Sequence, residues 1–339
     1  MLFLMGATAA GKSALALALA RELPVDLISV DATQVYRGLN IGSAKPDEAT
    51  LAAVPHQLVD IREPWETYSA AAFREDALQA IRNSHAAGRI PLLVGGTMLY
   101  FKALRDGLAD LPGAEPALRE NLQAVADRAG WPAMHAWLAE LDPQTASRLQ
   151  PRDRQRVQRA LEVVISTGTP MSELLLHTPP GLAASPEYRL LEFAVGPTER
   201  RRLDEAIAVR FDAMLADGLV EEVAGLLARP DMTSDLPAMR AVGYRQVAEY
   251  LPGGLAFADL REQALRATEG LAKRQYTWMR KWTGVRWLGW QQRSPDGEAL
   301  GSGAGAVPNH PIVTSHLRAA VGAIHSLLAA STDDEPIVH

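Results

Sequence analysis

The stretch MLFLMGATAAGKSALALALA, residues 1–20, joins an apolar run to a helical run through a loop of small residues. The apolar residues before Gly6 predict a buried strand, because consecutive apolar side chains suit a strand covered on both faces. Residues 12–23 predict a helix, which Pro24 brings to an end. A strand that feeds a helix through such a loop is typical of the opening unit of a parallel α/β sheet.

The loop between strand and helix fits the phosphate-binding pattern G-x-x-x-x-G-K-[S/T]. Its glycines allow backbone N–H groups to turn toward phosphate oxygens, and the amino end of the following helix adds a favourable dipole. Lys12 is expected to reach the outer phosphate, and the hydroxyl of Ser13 is expected to bind Mg²⁺. The residues predicted to bind phosphate are Gly6, Ala7, Thr8, Ala9, Ala10, Gly11, Lys12 and Ser13.

Two further strands are predicted downstream of this unit. VDLISVD (25–31) ends in Asp31, and IPLLVGG (90–96) follows a helical stretch over 70–87. Strands that alternate with helices indicate a parallel sheet covered on both faces, and such sheets bind ligands beyond the carboxyl ends of their strands. We therefore expect the phosphate loop, Asp31 and Gly95–Thr97 to meet in one crevice.

The pattern changes after about residue 105, and the predicted core is discontinuous. Residues 114–175 are helical in pattern without a convincing strand, and a strand over 188–196 is followed by helices over 198–217, 218–229 and 257–282. The predicted fold class is α/β, a P-loop NTPase-like parallel sheet core with a helical insertion domain. The predicted parts are a core of residues 1–106 and 186–290, an insertion of residues 107–185, and a tail of residues 291–339 with a linker over 291–311 and a helix over 312–330.

Composition limits the class of protein further. The 339 residues include no cysteine, which excludes disulfides, thiolate zinc sites and cysteine nucleophiles. No apolar run reaches the length of a membrane span, and SALALALA (13–20) is interpreted as a buried helix face. These features predict a cytoplasmic enzyme. A net charge of −6 argues mildly against a nucleic-acid partner.

Two basic stripes oppose this overall charge. Residues 148–159 hold five arginines against one acid, and residues 273–290 hold five cations, Tyr276 and four of the seven tryptophans without any acid. Basic and aromatic side chains together suit a polyanion whose bases can stack. An amphipathic helix with its tryptophans in a core produces the same pattern, and for the second stripe alone this interpretation is slightly favoured.

The phosphate loop does not by itself define the reaction. A nucleotide hydrolase usually pairs the loop with an apolar strand that ends in an acid, but the third predicted strand ends in Gly95-Gly96-Thr97. Asp31 is the nearest candidate acid. Its carboxylate could hold Mg²⁺, accept a proton from a nucleophile, or cap the following turn, and spacing alone leaves these roles open.

Eight stretches carry a further, joint signal: GATAAGKS (6–13), ISVDATQVYRGLNIGSAKP (28–46), PHQLVDIREPWETYSAAAF (55–73), VGGTMLYFKAL (94–104), DPQTASRLQPRDRQRVQRALEV (142–163), RFDAMLADGLVEEV (210–223), MRAVGYRQV (239–247) and AKRQYTWMRKW (272–282). In this order they resemble the tRNA dimethylallyltransferases, also called tRNA isopentenyltransferases. The resemblance covers about residues 3–285. The joint pattern is far more specific than the phosphate loop alone.

The resemblance implies transfer of a dimethylallyl group from dimethylallyl diphosphate to the exocyclic amine of the adenosine just 3′ of the anticodon. The tRNAs concerned read codons that begin with U. The resemblance assigns the catalytic base to Asp31, a contact with the substrate nucleotide to Thr97, and contacts with the leaving diphosphate to Lys12 and Arg210. Mg²⁺ on Ser13 is the expected cofactor, no ATP is consumed, and a monomer is expected.

The resemblance also implies that the arginine-rich insertion grips the anticodon arm, because the adenine must leave its stack before it enters the site. Ala32 stands where the family commonly has serine, and the stretch after about residue 290 resembles no known family. The residues matched to tRNA contacts are Asp31, Ala32, Thr33, Gln34, Thr97, Arg119, Gln155, Arg156, Val157, Gln158, Arg159, Arg240, Gly243, Tyr244 and Arg245.

Three alternative functions share parts of this pattern. A small-molecule phosphotransferase has the same loop and sheet, and its mobile arginine-rich lid would resemble residues 148–159. A tRNA-binding module with a decayed catalytic site is opposed by the intact Lys12, Ser13, Asp31 and Thr97. A cytokinin-type transferase, which prenylates free adenylate, is opposed by the long insertion and its arginines.

Overall fold

The computed structural model describes most of the chain: residues 1–197 and 199–290, together with Val321, Gly322, Ile324 and Ser326. The linker predicted over 291–311 lies outside the described residues, and so does most of the helix predicted over 312–330. The four described residues within that predicted helix are helical.

The described chain contains one six-stranded parallel sheet. Its strands are β1 (Leu2–Gly6), β2 (Val25–Val30), β3 (His56–Gln57), β4 (Ile90–Gly95), β5 (Leu191–Pro197) and β6 (Arg286–Trp290). Their spatial order is β3-β2-β4-β1-β5-β6, and every neighbouring pair is parallel. The predicted fold class, an α/β fold with a P-loop-type parallel sheet, is confirmed.

Helices connect these strands, and the helices predicted over 12–23, 70–87 and 257–282 are all present. Of the helices in the part of the chain described above, none has the length and apolar character that crossing a membrane requires. The helices are α1 (Lys12–Glu22), α2 (Glu48–Ala53), α3 (Ala70–Ala86), α4 (Met98–Arg105), α5 (Pro116–Ala129), α6 (Trp131–Leu141), α7 (Pro143–Ala146), α8 (Arg154–Thr167), α9 (Met171–Leu176), α10 (Arg200–Ala216), α11 (Leu219–Leu227), α12 (Tyr244–Tyr250) and α13 (Phe257–Arg280), with 3-10 turns at Leu182–Ala184 and Ala238–Arg240.

The first strand is buried on both faces, which explains its uninterrupted apolar sequence. Leu2 and Leu4 pack in one cluster with Leu15 of α1. On the opposite face Phe3 contacts Phe101 of α4, with ring centroids 5.0 Å apart. Because side chains alternate between the two faces of a strand, a strand covered on both sides needs apolar residues at every position.

The strand order changes direction between β1 and β4. The chain leaves β1 through α1 and returns as β2 on the far side of β4. It leaves β4 through α4 and returns as β5 on the far side of β1. Ligands of open parallel sheets bind in the crevice at the carboxyl ends of the strands at such a switch point. The phosphate loop, which follows β1, lies at this edge.

The chain divides into two compact units, one of residues 1–103 with 186–339 and one of residues 104–185. The second unit, which the structure describes in full, contains no strand. The role of this helical unit in gripping tRNA stays a prediction. Its core joins α5, α6 and α8 through the buried side chains of Leu122, Met134, Leu138, Val157 and Leu161.

The second basic stripe, residues 273–290, is not a single helix. The helix α13 ends at Arg280, and Arg286–Trp290 forms β6, which pairs with β5. Gly284 has a φ of 85° and lies in the turn between them. The amphipathic-helix interpretation therefore holds only for the first part of this stripe.

Candidate active site

The phosphate loop depends on glycine at both ends of its pattern. Gly11 has a φ of 84°, a conformation that strains any residue with a Cβ, and Ala9 occupies the small left-handed region at 59°. Gly6 is needed for a different reason, because a Cβ at this position would lie 2.8 Å from the carbonyl oxygen of Val195 and from the Lys12 side chain. These constraints fix the backbone path between β1 and α1.

Two cations, Lys12 and Arg210, line the cavity beside this loop. The Lys12 ammonium donates to the carbonyl oxygen of Ala7 at 2.8 Å. Burial and the nearby Arg210 lower the pKa of Lys12 to about 8, against a smaller opposite effect of Asp31. Burial also lowers the pKa of Arg210, again opposed by Asp31. Two partly desolvated cations with one nearby carboxylate leave an excess of positive charge, which suits an anionic ligand.

Asp31 directly follows β2, and the turn after it fixes its carboxylate. The Oδ1 atom accepts hydrogen bonds from the backbone N–H groups of Thr33 (2.8 Å) and Gln34 (3.3 Å), so the turn-capping interpretation is correct for this oxygen. The Oδ2 atom accepts no hydrogen bond from the described residues, and Asp31 lines the cavity. One oxygen therefore positions the side chain while the other remains for a ligand.

Thr97 joins the turn after β4 to the segment that carries Asp31. Its hydroxyl oxygen accepts from the backbone N–H of Ala32 at 3.1 Å, and its own N–H donates to the carbonyl of Val30 at 3.3 Å. A Cβ on Gly95 would lie only 2.0 Å from the Val30 carbonyl oxygen, so the close approach of β2 requires glycine at the end of β4. The Ala32 side chain takes no part in this bond, and the departure from serine leaves it intact.

Gln34, which the sequence predicts as a tRNA contact, holds a neighbouring loop. Its Oε1 accepts from the Ser29 hydroxyl at 3.0 Å, and its Nε2 donates to the carbonyls of Ser43 (3.3 Å) and Ala44 (3.2 Å). Thr33, Ser43 and Ala44 all line the cavity. Gln34 lines the cavity as well, and its hydrogen bonds fix the neighbouring wall.

Glu222 of α11 was not predicted as a site residue. Its carboxylate accepts from the backbone N–H groups of residues 40–42 at 2.8–3.3 Å and from the Tyr244 hydroxyl at 2.6 Å. Burial and Glu222 raise the pKa of Tyr244. The available signal was its place in the stretch RFDAMLADGLVEEV (210–223). Through these bonds Glu222 fixes the segment that leads into the cavity wall.

Gln275 of α13 was also missed, although it lies in the stretch AKRQYTWMRKW (272–282). Its Oε1 accepts from the backbone N–H of Thr8 at 3.0 Å, and its Nε2 donates to the carbonyl of Gly96 at 2.8 Å. The side chain lines the cavity and the residue is only 9% exposed. Gln275 therefore joins the phosphate loop to the turn after β4.

These elements enclose a cavity of about 180 Å³ at the carboxyl edge of the sheet. One water molecule needs a cavity of ~15 Å³, so this cavity, roughly twelve times larger, is big enough for a small organic ligand. A larger cavity of about 330 Å³ lies beside the first residues of β1 and β4, at the opposite edge, and contains none of the predicted site residues. The carboxyl-edge cavity has a polar lining that includes Thr8, Lys12, Ser13, Asp31 and Arg210, and an apolar lining that includes Ile207, Phe211, Met214, Val242 and Leu271.

Within the helical unit, several predicted tRNA contacts also hold the unit together. Arg119 forms a two-bonded ion pair with the buried Glu162, at 2.8 and 3.0 Å. Arg159 donates to a backbone carbonyl at 2.6 Å, and Arg156 pairs at 3.1 Å with the aspartate that caps α8. Gln155 and Arg156 are exposed, whereas Gln158 and Arg159 are half-buried.

Two residues matched to tRNA contacts are buried in cores. Val157 and Tyr244 are both 0% exposed. The Tyr244 ring fills the space above Gly42, where a Cβ would lie 2.5 Å from it. Neither side chain is therefore exposed, and the match of these two positions to tRNA contacts stays a prediction. Of the other residues matched near Tyr244, Arg240 and Arg245 are exposed, and the buried Gly243 lines the cavity.

The fold and its first loop define the class of protein. A parallel sheet whose first strand runs through a G-x-x-x-x-G-K-S loop into a helix, with a cavity at its switch point, is the architecture of the P-loop α/β proteins. A family model described as IPP transferase matches residues 34–282. The chain belongs to the IPP transferase family.

Relatives of known name agree with this family. The tRNA dimethylallyltransferase of Bordetella pertussis is 58% identical over 277 residues, which covers 82% of this chain and 88% of that protein. The tRNA dimethylallyltransferase of Thiobacillus denitrificans is 56% identical over 283 residues, which covers 84% of this chain and 89% of that protein.

Solved structures show the same fold. The tRNA isopentenylpyrophosphate transferase of Bacillus halodurans is similar with a TM-score of 0.60 and 34% identity, over 84% of this chain and 88% of that one. A eukaryotic dimethylallyltransferase, captured acting on tRNA, is similar with a TM-score of 0.69 and 26% identity, over 82% of this chain and 69% of that one.

Proposed function

We propose that the chain transfers a dimethylallyl group from dimethylallyl diphosphate to the N6 amine of the adenosine just 3′ of the anticodon, in tRNAs that read codons beginning with U. Family membership and relatives named tRNA dimethylallyltransferase support a tRNA-modifying prenyltransferase. One observation carries the proposal: the phosphate loop, two cations and a fixed carboxylate line the same cavity.

On the leaving-group side, the cavity suits the charge that develops on diphosphate. The bond between the allylic carbon and oxygen breaks with its electron pair moving to the diphosphate, so negative charge grows there in the transition state. Lys12, Arg210 and the N–H groups at the start of α1 stabilise that charge. The apolar side chains of Phe211, Met214 and their neighbours suit the dimethylallyl group.

On the nucleophile side, Asp31 acts as the general base. An aromatic amine is a poor nucleophile, so removal of its proton as the new N–C bond forms assists the reaction. In this proposal the proton passes from N6 to the Oδ2 atom of Asp31. The hydroxyl oxygen of Thr97 accepts a hydrogen bond from the Ala32 N–H, so the hydroxyl proton remains for a hydrogen bond to the nucleotide.

The residues present fit Mg²⁺ held mainly by the substrate. The described residues contain no group of three or more His, Cys, Asp or Glu side chains that would form an all-protein metal site. Mg²⁺ commonly uses one or two protein ligands together with phosphate oxygens and water. The exposed hydroxyl of Ser13, in the first turn of α1, suits that role. Bound there, the ion would neutralise charge on the departing diphosphate.

For tRNA, we propose contacts by the exposed polar and basic residues matched above, including Arg156, Arg240 and Arg245. Phosphate contacts by arginine position a nucleic acid, and an adenine must leave its stack before it reaches a catalytic site. We further propose that the enzyme acts as a monomer and, because its substrate is tRNA, in the cytoplasm. Light scattering of the purified chain tests the first of these.

The proposal is tested by incubating the protein with radiolabelled dimethylallyl diphosphate, Mg²⁺ and unmodified tRNA. The matched controls are free AMP and a tRNA in which the adenosine 3′ of the anticodon is replaced. Label on the intact tRNA alone supports the proposal. Label on AMP would assign the protein to transferases of free adenylate.

A second arm of the same experiment addresses the phosphotransferase alternative. The midpoint of thermal unfolding is compared with ATP and with dimethylallyl diphosphate, since a ligand present at about 100 times its Kd stabilises the folded state by about 2.7 kcal/mol. Stabilisation by ATP without any label transfer would contradict the proposed function.

A further inference from the structure

Gln275 connects the two loops on which the proposed reaction depends. Its side-chain amide accepts a hydrogen bond from the Thr8 N–H in the phosphate loop and donates one to the Gly96 carbonyl in the turn after β4. The side chain fits tightly, since a Cβ added to Gly96 would lie 2.4 Å from its Nε2 atom. Both functional atoms of this buried amide are therefore committed to backbone partners on different loops.

The connection continues from Gly96 to the proposed base. Thr97 follows Gly96 directly, and its hydroxyl oxygen accepts a hydrogen bond from the N–H of Ala32. Ala32 in turn follows Asp31, whose carboxylate is fixed by the next two residues. A continuous series of hydrogen bonds and single peptide steps thus leads from the phosphate loop to Asp31 through Gln275.

The bond to Thr8 has a second consequence for the phosphate loop. A P-loop binds phosphate through backbone N–H groups, but the N–H of Thr8 is already occupied by Gln275. Gln275, which itself lines the cavity, therefore orients this part of the loop through the bond to Thr8. Removal of the side chain would leave a partly buried N–H and a buried carbonyl without their partner, which favours movement of both loops.

We infer that Gln275 is a positioning residue that sets the separation between the leaving diphosphate and the attacking amine. This inference rests on the proposed function. In a displacement reaction the donor carbon and the nucleophile must be close and aligned, and misplacement by about 1 Å can cost about 100-fold in rate. Both polar atoms of the Gln275 amide bond backbone groups, so Gln275 acts through the two loops that hold the reactants.

Loss of this alignment has a specific chemical signature. When the amine is misplaced, water attacks the same allylic carbon: the carbon–oxygen bond to diphosphate breaks, a new carbon–oxygen bond to water forms, and one proton is released. The products are dimethylallyl alcohol and diphosphate. The ratio of diphosphate released to prenyl group transferred therefore measures alignment independently of the amount of active enzyme.

The test compares Gln275→Met with the wild-type protein. Methionine has a similar length but bonds neither loop. We expect kcat to fall by about ten- to a hundredfold and the diphosphate-to-transfer ratio to rise by at least about threefold. The Kd values for tRNA and for the unreactive dimethylallyl thiolodiphosphate should stay within about threefold of wild type. The control is Ser172→Ala, which removes a buried hydrogen bond to Asp142 in the helical unit and should leave the ratio unchanged.

A second variant, Gln275→Glu, separates alignment from packing. A glutamate keeps the shape and the acceptor for Thr8, but its ionised carboxylate repels the Gly96 carbonyl. When protonated it donates to that carbonyl and restores the bridge. We therefore expect the ratio for this variant to approach the wild-type ratio as pH falls, whereas the Gln275→Met ratio stays raised at every pH.

The outcomes separate this inference from the proposed function. If the wild-type protein transfers no label to tRNA, the proposed function fails and the inference fails with it. If wild type is active and Gln275→Met keeps the wild-type ratio, the inference alone is overturned. The inference is also overturned if Gln275→Met raises the Kd values for tRNA and for the thiolodiphosphate as much as it lowers kcat/KM, while the diphosphate-to-transfer ratio stays unchanged.

Discussion

At the scale of single residues, the proposed chemistry depends on the balance of charge among Lys12, Arg210 and Asp31. Burial lowers the pKa of both cations, so the protein holds them partly desolvated before any ligand arrives. A dianionic or trianionic ligand compensates that charge better than the single carboxylate can. Binding of diphosphate should therefore be coupled to the protonation of Lys12.

We predict that the affinity for a diphosphate weakens as pH rises through about 8, the pKa of Lys12 in the free protein. Below that pH the amine of Lys12 is already protonated before the ligand binds. Above it the ligand must draw a proton onto the neutral amine, and the loss approaches about tenfold per pH unit. Calorimetric titration with a non-hydrolysable bisphosphonate on both sides of this pKa measures the effect.

Lys12→Met is the matched control for this pH profile. The ligand titrates in both proteins, so the difference between the two pH profiles gives the contribution of Lys12. Parallel profiles would contradict the prediction.

The pH dependence of folding stability has the opposite sign to that of ligand binding. The folded state disfavours the charged form of Lys12, so this residue lowers the free energy of unfolding most below about pH 8. The destabilisation decreases as the pH rises, and it disappears above pH 10.5, where the lysine is neutral in the unfolded state as well.

Asp31→Asn should remove the base while keeping the turn. The amide oxygen of asparagine can still accept from the N–H of Thr33, whereas its NH₂ group cannot take a proton. We expect turnover to fall by about 10²- to 10⁴-fold, the usual contribution of a general base. Filter binding of tRNA should be unchanged. Activity within about tenfold of wild type would show that another group accepts the proton.

At the scale of elements, the cavity wall is built by contacts between segments far apart in sequence. Glu222 of α11 and Tyr244 of α12 hold residues 40–42. Lys45 donates to the carbonyl of Tyr36 at 2.7 Å and to Asp60 at 2.5 Å. A loop with little regular structure is thereby fixed by charged hydrogen bonds, which are the stronger kind.

We predict that Tyr244→Phe lowers the free energy of unfolding by about 1.5–3 kcal/mol, because it removes a hydrogen bond to a charged group. Tyr250→Phe, on the same helix, is the control, and its hydroxyl forms no hydrogen bond among the described residues. It should change the unfolding free energy by less than about 0.5 kcal/mol. Urea titrations measure both, and equal effects would contradict the role of Glu222.

Elements with a strong apolar pattern could be predicted from the sequence, and weakly patterned ones could not. β1, β2 and β4 are apolar runs between a loop and a helix, and each was predicted to within one residue of its observed end. β3 is only His56–Gln57, which carries no apolar pattern at all. β6 follows α13 after a short turn, and its basic and aromatic residues continue the composition of the helix.

At the scale of the whole molecule, the candidate site draws on parts of the chain that the helical unit separates in sequence. The phosphate loop, Asp31 and Thr97 precede that unit, whereas Arg210 and Gln275 follow it. The sheet rule predicted that the first three would meet, because carboxyl ends of parallel strands share an edge. No such rule says which later helix returns to the loop. Arg210 was therefore assigned by resemblance alone, and Gln275 was missed.

The helical unit provides a test of tRNA binding that does not involve the cavity. Arg156→Ala should weaken binding to all tRNAs and lower the slope of log K against log salt by about 1, since one phosphate contact is lost. Arg128→Ala removes another exposed arginine of the same unit and is the control. Equal salt slopes for the two variants, measured by filter binding, would place the tRNA contact elsewhere.

Analysis of the product nucleoside tests whether the protein prenylates tRNA at the proposed adenosine. Unmodified tRNA is incubated with dimethylallyl diphosphate and the protein, digested, and examined by mass spectrometry, while released diphosphate is measured in parallel. We expect N6-dimethylallyl adenosine at the position 3′ of the anticodon, with one diphosphate released for each group transferred. Diphosphate release without that nucleoside, or a phosphorylated product formed from ATP, would contradict it.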